Sequence, residues 1–413
     1  MSADPRPPSA SLPSAGPELE LRIPADDVAA PVLSIVLPAL NERLTIADSI
    51  DWCKEGLARA GVAGEVLIVD SSTDDTAAIA LSRGARVLRA PLRGLGRAYI
   101  DSLPFVRGEY VLLGDCDCTY DFRELAPFVE KLQAGAELVM GSRFRGYIEP
   151  GAMPALHRYV GTPVTTWMLN RIFSSRFSDI HCGMRAITRV ALERMQLRSQ
   201  SWEYASEMVL KSVRMKLVTD EVPIRFLKDR DGRESHHKRA GWLSPWAAAW
   251  INVRAMFIYG ADFFLFRPGI LLLVLGVGLT LPLSFGPITI GRIAFSLYFM
   301  LLGLTLATLG LQCLYQGILA QTLFDYTGDV TRRWFAWFPY TRTVLLAGGT
   351  FGVGVALAAS LLVYYVRHDF GLAPAEAVNH LGVLGLLFMI TGFMTFTFTL
   401  LLHATAVAPW RRS

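Results

Sequence analysis

The residues best equipped for chemistry stand in one short run, Asp115-Cys116-Asp117-Cys118-Thr119-Tyr120-Asp121, directly after the apolar stretch 111–113. Three carboxylates crowded at the end of a buried strand repel one another, which is costly unless a divalent cation sits among them. Oxygen ligands favour Mg2+ or Mn2+. The interleaved Cys116 and Cys118 raise zinc as an alternative. A C-x-C without a second ligand pair is a weak zinc signal, however, and alternation in an extended segment turns the thiols away from the acids. A solvated acidic loop would spell the same letters, so the run has to be read with its companions.

Those companions follow other apolar runs. Ser34-Ile-Val-Leu-Pro38-Ala-Leu40-Asn41-Glu42, Asp70-Ser71-Ser72-Thr73-Asp74, Gly141-Ser142-Arg143 and Asp179-Ile-His181-Cys-Gly183-Met-Arg185 each place polar groups just beyond a stretch rich in Val, Ile and Leu. The elements that position them alternate: apolar runs at 33–37, 66–69 and 111–113, with helical patterns at 46–57 and 76–81 between them. Strand, helix, strand in this rhythm predicts an α/β domain with a mostly parallel, Rossmann-like sheet, whose ligands bind beyond the carboxyl ends of the strands.

The ordered set of motifs resembles glycosyltransferase family 2 of the GT-A fold, and within it the dolichol-phosphate mannose synthase-like, polyprenyl-phosphate glycosyltransferase branch. The resemblance covers residues 33–238. It implies that Pro38, Leu40 and Glu42 contact the nucleotide, that Asp70 contacts the base, and that Asp115 and Asp117 hold the metal and diphosphate. It also implies an acid near the donor sugar, matched by Glu207. For the acceptor it implies phosphate ligands at Arg143, at Arg158 with Thr162, and at Arg230 before Gly232 and Ser235, with Lys238 nearby. Asp117, Arg143, Arg158 and Arg230 are the expected catalytic set. Arginine forks suit a transfer between two phosphorylated species, although each arginine could equally be a surface charge or a sheet-edge ion pair. Two departures matter. Asp70-Ser71-Ser72 is one residue shorter than the family's usual two acids followed by Gly-Ser, which leaves the base preference open, and Thr119 stands where the family often has Gln.

Other signals are weaker. Gly94-Leu95-Gly96 before a helix could cradle phosphate or form a tight entry turn. His236 and His237 alternate sides in an extended chain, so they are expected as solvated side chains of a phosphate-facing loop, not as a metal site. Glu203 and Glu207 on one helix face would also suit a helix amino end.

The chain has 413 residues, 52% hydrophobic and only 18% charged, richer in apolar side chains than soluble proteins usually are. Only four of its acids, Asp325, Asp329, Asp369 and Glu376, follow Phe266, and four apolar stretches dominate there: 268–285, 294–320, 343–366 and 381–406. Each is about the length that spans roughly 30 Å of hydrocarbon as a helix, the first only barely. Ahead of them, Ser244-Pro245 starts a helix with Trp246, Trp250, Val253 and Phe257 on one face. That reads as an amphipathic helix in the membrane interface, or as a core helix. Arg332, Arg333, Arg342, Arg411 and Arg412 put the amino-terminal domain, the loop between spans two and three and the carboxyl terminus in the cytoplasm, by the positive-inside rule. The expected layout is a disordered, Pro/Ala/Ser-rich tail (1–31), the GT-A domain (32–240), a juxtamembrane helix (241–266), four transmembrane helices (267–407) and a cytoplasmic tail (408–413) in the inner or plasma membrane. Five cysteines without C-x-x-C spacing suit a reducing compartment. A net charge of +4 gives no case for nucleic acid.

The expected activity is metal-dependent, inverting transfer of one hexose from a nucleotide-sugar donor to a polyprenyl phosphate, by a protein of the bilayer that could act as a homo-oligomer. A processive polysaccharide synthase is the competing enzyme. Its Q-x-x-R-W motif is not met, because Val330 precedes Arg333-Trp334 where Gln is needed. A catalytically silent scaffold or flippase with a relic transferase domain is the competing non-enzyme.

Overall fold

The computed structural model describes residues 19–91, 94–230, 232–233, 244–371 and 377–407. The chain divides into two compact units, Met1–Ala255 and Met256–Ser413.

The first unit is built on one eight-stranded sheet. Its strands are β1 (Glu20–Arg22), β2 (Leu33–Ala39), β3 (Gly64–Asp70), β4 (Arg86–Arg89), β5 (Tyr110–Leu113), β6 (Leu138–Ile148), β7 (Arg185–Thr188) and β8 (Thr219–Phe226), in the spatial order β1-β4-β3-β2-β5-β7-β6-β8. Only β1 and β7 run against the others. In β2 every residue but Pro38 is buried, because helices cover both faces of a parallel sheet; its sequence is therefore a continuous apolar run, not an alternation. Helix α1 (Ile46–Ala60) buries Ile46, Ile50, Cys53 and Leu57 at helical spacing and ends at Gly61 in the left-handed conformation (φ 65°). Helices α2 (Thr76–Ser82), α3 (Leu95–Ser102), α4 (Ala126–Gln133), α5 (Thr162–Phe173), α6 (Arg189–Met195) and α7 (Glu203–Arg214) complete the layers.

The expected tail extends too far into the fold. Residues 20–22 pair with β4 as an edge strand, and Asp27 takes both terminal nitrogens of Arg107 at 3.0 and 2.9 Å. Arg107 and Arg86 both meet the buried Glu65, so this acidic segment helps neutralise a cluster that composition alone cannot reveal.

Helix α8 (Ser244–Tyr259) exposes Trp250 and Phe257. The second unit holds α9 (Ala261–Leu283), α10 (Leu297–Leu323), the short α11 (Asp329–Trp337), α12 (Tyr340–Arg367) and α13 (Ala377–Val407), with a β-hairpin, Ile288–Ile290 and Ile293–Phe295, between α9 and α10. Four of these helices are long and apolar enough to cross a membrane. The first starts seven residues before the expected Pro268, which lies inside α9. Interior prolines are tolerated in membrane helices, so Pro268 was a poor boundary signal. Glycines let α9 and α10 approach closely: a Cβ on Gly276 would stand 2.1 Å from the Ala307 nitrogen, and one on Gly310 2.3 Å from that of Leu273.

Candidate active site

Parallel strands deliver their polar termini to one end of the sheet. After β2, Asn41 adopts a left-handed conformation (φ 58°) that asparagine accepts better than most residues. Its N–H donates to Ser72 Oγ at 2.7 Å, its Oδ1 accepts from Thr73 N at 2.9 Å, and Glu42 N donates to Thr76 Oγ1 at 3.0 Å. The loops after β2 and β3 are thereby locked together. Asp70, at the end of β3, is fully buried; its carboxylate pairs with Arg89 and accepts from Ser72 N at 3.2 Å. A cavity of about 330 Å3 opens beside it, lined by Ser71, Ser72, Thr73 and Arg89 among others. It is Arg89, held by Asp70, that faces this space.

After β5 come the acids. Asp117 Oδ1 accepts from Thr119 N at 3.0 Å and Thr119 Oγ1 at 2.6 Å, so Thr119 fixes the rotamer and directs the other oxygen elsewhere. Burial, then the neighbouring Asp117 charge, pushes the Asp115 carboxyl up to about 7, against the pull of Arg185 and Arg233. Asp117 is raised too, mainly by burial, with Arg233 and Thr119 opposing. Gly183 explains itself here: a Cβ would lie 2.7 Å from Asp115 Oδ2 and 2.9 Å from the Tyr120 ring. The thiols face protein, Cys116 donating to Pro38 O at 3.0 Å and Cys118 lying 3.2 Å from Ser49 Oγ.

Two expectations are corrected at this run. Asp121 does not join the acid cluster, because it caps the next turn and is bound by Arg123 through Nε and Nη2 at 2.7 Å each. The third acid is Glu42, with Asp229 as a fourth, and the group that gathers them is an arginine not foreseen from sequence. Arg233 binds Glu42 with Nε and Nη2, each at 2.7 Å, while its Nη1 lies 2.7 Å from Asp229 and 3.4 Å from Asp117. Its side chain is only 6% exposed. Residues 227–230 and Arg233 reach this place because Leu227 N donates to Thr119 O at 2.8 Å and Tyr120 bridges Phe226, carrying the end of β8 across the acid loop. The expected Arg230 instead pairs with Asp48 at the start of α1.

Arg143 and Glu207 both have partners inside the fold. Arg143 is buried; its Nε and Nη2 take Asp179 at 2.6 and 2.9 Å, its N–H takes the same acid at 3.2 Å, and its guanidinium lies over Phe226. It braces the loop 179–183. Glu207 accepts from Arg198 N and Ser199 N and pairs with the buried Lys211 at 2.7 Å. It holds the turn before α7, and its carboxylate is committed there. That turn also disposes of the glycine pair as a phosphate cradle: a Cβ on Gly96 would stand 2.1 Å from Ser199 O and one on Gly94 2.4 Å from Gln200 O, while Arg97 N already donates to Gln200 O.

Arg158 lies in a single π-helical turn, His157–Gly161, that runs into α5 just ahead of the buried Thr162. Among the described residues no carboxylate pairs with it. His181, from the loop braced by Arg143, reaches α5 with Nε2 2.9 Å from Thr165 Oγ1, tying the acid-loop side to the Arg158 side. Pro38 and Leu40 are half-buried at the end of β2. Ser235 and Lys238, with His236 and His237, lie outside the described residues.

Comparison with known proteins gives the family. Residues 34–196 match the model for glycosyl transferase family 2, and residues 319–406 match the glycosyltransferase family 2 C-terminal transmembrane region. The chain is 35% identical over 366 residues to the low-salt glycan biosynthesis hexosyltransferase Agl6 of Haloferax volcanii, covering 87% of this chain and 86% of that one. It is 28% identical over 212 residues to the dolichyl-phosphate hexose transferase of the same organism, covering 51% and 88%. Among solved structures, glucosyl-3-phosphoglycerate synthase from Mycobacterium tuberculosis aligns over 54% of this chain and 80% of its own, at 23% identity and a TM-score of 0.42. Matched along most of its length by a family relative, with a mostly parallel GT-A sheet and four helices able to cross a membrane, the chain belongs to glycosyltransferase family 2 and is a membrane glycosyltransferase.

Proposed function

We propose that the protein transfers a single hexose, with inversion, from a nucleotide-diphosphate sugar to a polyprenyl phosphate at the cytoplasmic face of the membrane. The observation that carries this is the gathering of Glu42 and Asp117 on the Arg233 guanidinium, with the buried Asp115 two residues from Asp117 at the end of β5. The names of two relatives, a hexosyltransferase and a dolichyl-phosphate hexose transferase, support the sugar and lipid classes. The arginines between the second and third spans support the cytoplasmic orientation.

The residues fit a divalent cation. Asp115 and Asp117 are hard oxygen donors buried side by side with like charge, and a guanidinium already sits among their neighbours. Among the described residues no three His, Cys, Asp or Glu side chains form a closed ligand set. Two aspartates plus donor phosphates and water match the way Mg2+ or Mn2+ is commonly bound. When bound, the cation supplies charge neutralisation at the departing nucleoside diphosphate.

The chain's own groups do the rest. Thr119 fixes Asp117, the interlocked Asn41 and Ser72 loops shape the nucleotide cleft, and Arg89 backed by Asp70 meets the base. Arg158, with Thr162, holds the acceptor phosphate in line with the anomeric carbon. A phosphate monoester has its second pKa at about 6, so the attacking oxygen is already anionic and needs no protein base. Positioning and electrostatics then account for catalysis.

The test is a screen of UDP- and GDP-hexoses with a short polyprenyl phosphate, with and without chelator, reading lipid-linked radioactivity. Transfer to the lipid that disappears with chelator is expected, and Asp117→Asn should lower turnover about a hundredfold or more while the protein stays folded. Donor hydrolysis without lipid product, or a fully active Asp117→Asn variant, would overturn the assignment.

A further inference from the structure

We infer that Arg233 is a built-in competitor for the metal site: in the donor-free protein its guanidinium occupies the anionic cluster, and it must give way when metal and nucleotide arrive. This rests on the metal-site reading of Asp115 and Asp117 proposed above. The geometry is that of a cation in a binding site. The Arg233 fork meets both oxygens of Glu42 at 2.7 Å, and the remaining nitrogen divides between Asp229 at 2.7 Å and Asp117 at 3.4 Å. Asp115 feels the same charge. Thr119 clamps Oδ1 of Asp117, so the oxygen turned toward Arg233 is the one left to bind an ion.

Two cations at that oxygen repel each other. A divalent ion on Asp117 Oδ2 would stand next to Nη1 with like charge at a few ångströms, in a site where water screens little. Metal binding therefore favours a guanidinium that has left its Asp117 contact. Metal alone provides no new partner for the displaced guanidinium. Metal with a nucleoside diphosphate does, because phosphate oxygens accept the same fork. The structure thus makes metal and nucleotide binding mutually reinforcing through one side chain, a coupling that is reciprocal by linkage. Without Arg233 the metal should bind well by itself, and the nucleotide should add little.

The experiment is a Mn2+ titration of the full-length protein in nanodiscs, read by electron paramagnetic resonance of free Mn2+, with and without UDP or GDP. No turnover is involved. The apparent affinity of a site whose competent state is a minor fraction is reduced by that fraction. If Arg233 blocks the site nine-tenths of the time, Arg233→Gln tightens Mn2+ alone by about tenfold. The same variant should shrink the gain from added nucleotide by a similar factor. Arg233→Lys, a point charge without a fork, should fall between. Arg59→Ala, which removes an exposed charge paired with Glu55 on α1, should leave Mn2+ affinity as it is. Unchanged or weaker Mn2+ binding in both Arg233 variants, with binding lost in Asp117→Asn, would sink the competition and leave the metal site standing. Wild-type Mn2+ binding in Asp117→Asn would sink the metal-site reading itself, and the competition with it.

Discussion

Arg143 separates two accounts of the catalytic unit, because a phosphate ligand and a buried brace fail differently when removed. Its side chain is 10% exposed and Asp179 is fully enclosed. Asp179 accepts three bonds from Arg143 and one from His181 N at 3.2 Å. Arg143→Ala leaves that carboxylate buried with its cation gone, a loss worth about 3–5 kcal/mol when one partner of a buried pair is deleted. For a unit of this size a loss of that order lowers the melting temperature by about 2–4 °C per kcal/mol, or roughly 6–20 °C in all. Removing both charges costs less than removing one, so Arg143→Met with Asp179→Asn should recover at least about half of the drop. A thiol-reactive fluorogenic dye suits the measurement, since Cys53, Cys116, Cys118 and Cys182 are buried until the unit opens. If Arg143→Ala melts like wild type yet loses acceptor affinity, the brace account is wrong and Arg143 is a phosphate ligand after all.

Three further outcomes follow from the same geometry. Glu207→Gln removes the Lys211 ion pair and weakens the hold on the Arg198 and Ser199 N–H groups, so stability should fall by about 2 kcal/mol with the donor KM within twofold of wild type; a raised KM at unchanged stability would return Glu207 to the donor site. His181 is held down to about 4, chiefly by burial and also by Arg143 and Arg185, with Asp179 opposing. The folded state thus refuses a proton that the unfolded chain accepts below about 6.5, and the stabilisation present above that pH is lost at about 1.4 kcal/mol per unit as pH falls toward 4. Asp115, raised to about 7, slopes the opposite way, so the quantity to measure is wild type minus His181→Gln. That difference should decline by about 3 kcal/mol between pH 6.5 and 4, and a flat difference would deny that His181 is buried neutral. Finally, stripping divalent ions from donor-free protein should lower its stability by less than about 1 kcal/mol relative to millimolar Mn2+, because Arg233 already serves the acids. A large chelator-induced drop in melting temperature would contradict this.

Much of the fold was legible because its signals are local. Continuous apolar runs ending in polar residues marked β2, β3 and β5, and the acids that follow β5 announced themselves by their spacing. Side-chain partners were not legible, since they depend on which loops the sheet brings together. Arg143 looked available until Asp179, 36 residues on, was seen to enclose it. Asp121 looked like a third member of the acid cluster until Arg123, two residues away, was seen to bind both its oxygens. Arg230 and Arg233 differ by three positions, and motif spacing chose the first. Charge balance could have chosen the second: Glu42, Asp115 and Asp117 gathered at neighbouring strand ends demand a cation, and the basic stretch after β8 was the available source. The edge strand Glu20–Arg22 was hidden for a similar reason, since three residues among prolines carry no periodic signal.

The acid cluster therefore ties stability to function through one requirement. Carboxylates close enough to bind an ion are too close to remain without one, and a fold that kept them bare would lose free energy in every donor-free molecule. Raised proton affinity at Asp115 is one relief and Arg233 is the other. A proton on Asp115 alone would leave the charges of Glu42 and Asp229 in place. The arginine answers three carboxylates at once, from a segment pinned to the acid loop by the Leu227–Thr119 hydrogen bond. Because that anchor lies on the backbone and not on the guanidinium, the side chain can exchange carboxylates for phosphates while the segment that carries it stays paired to the site.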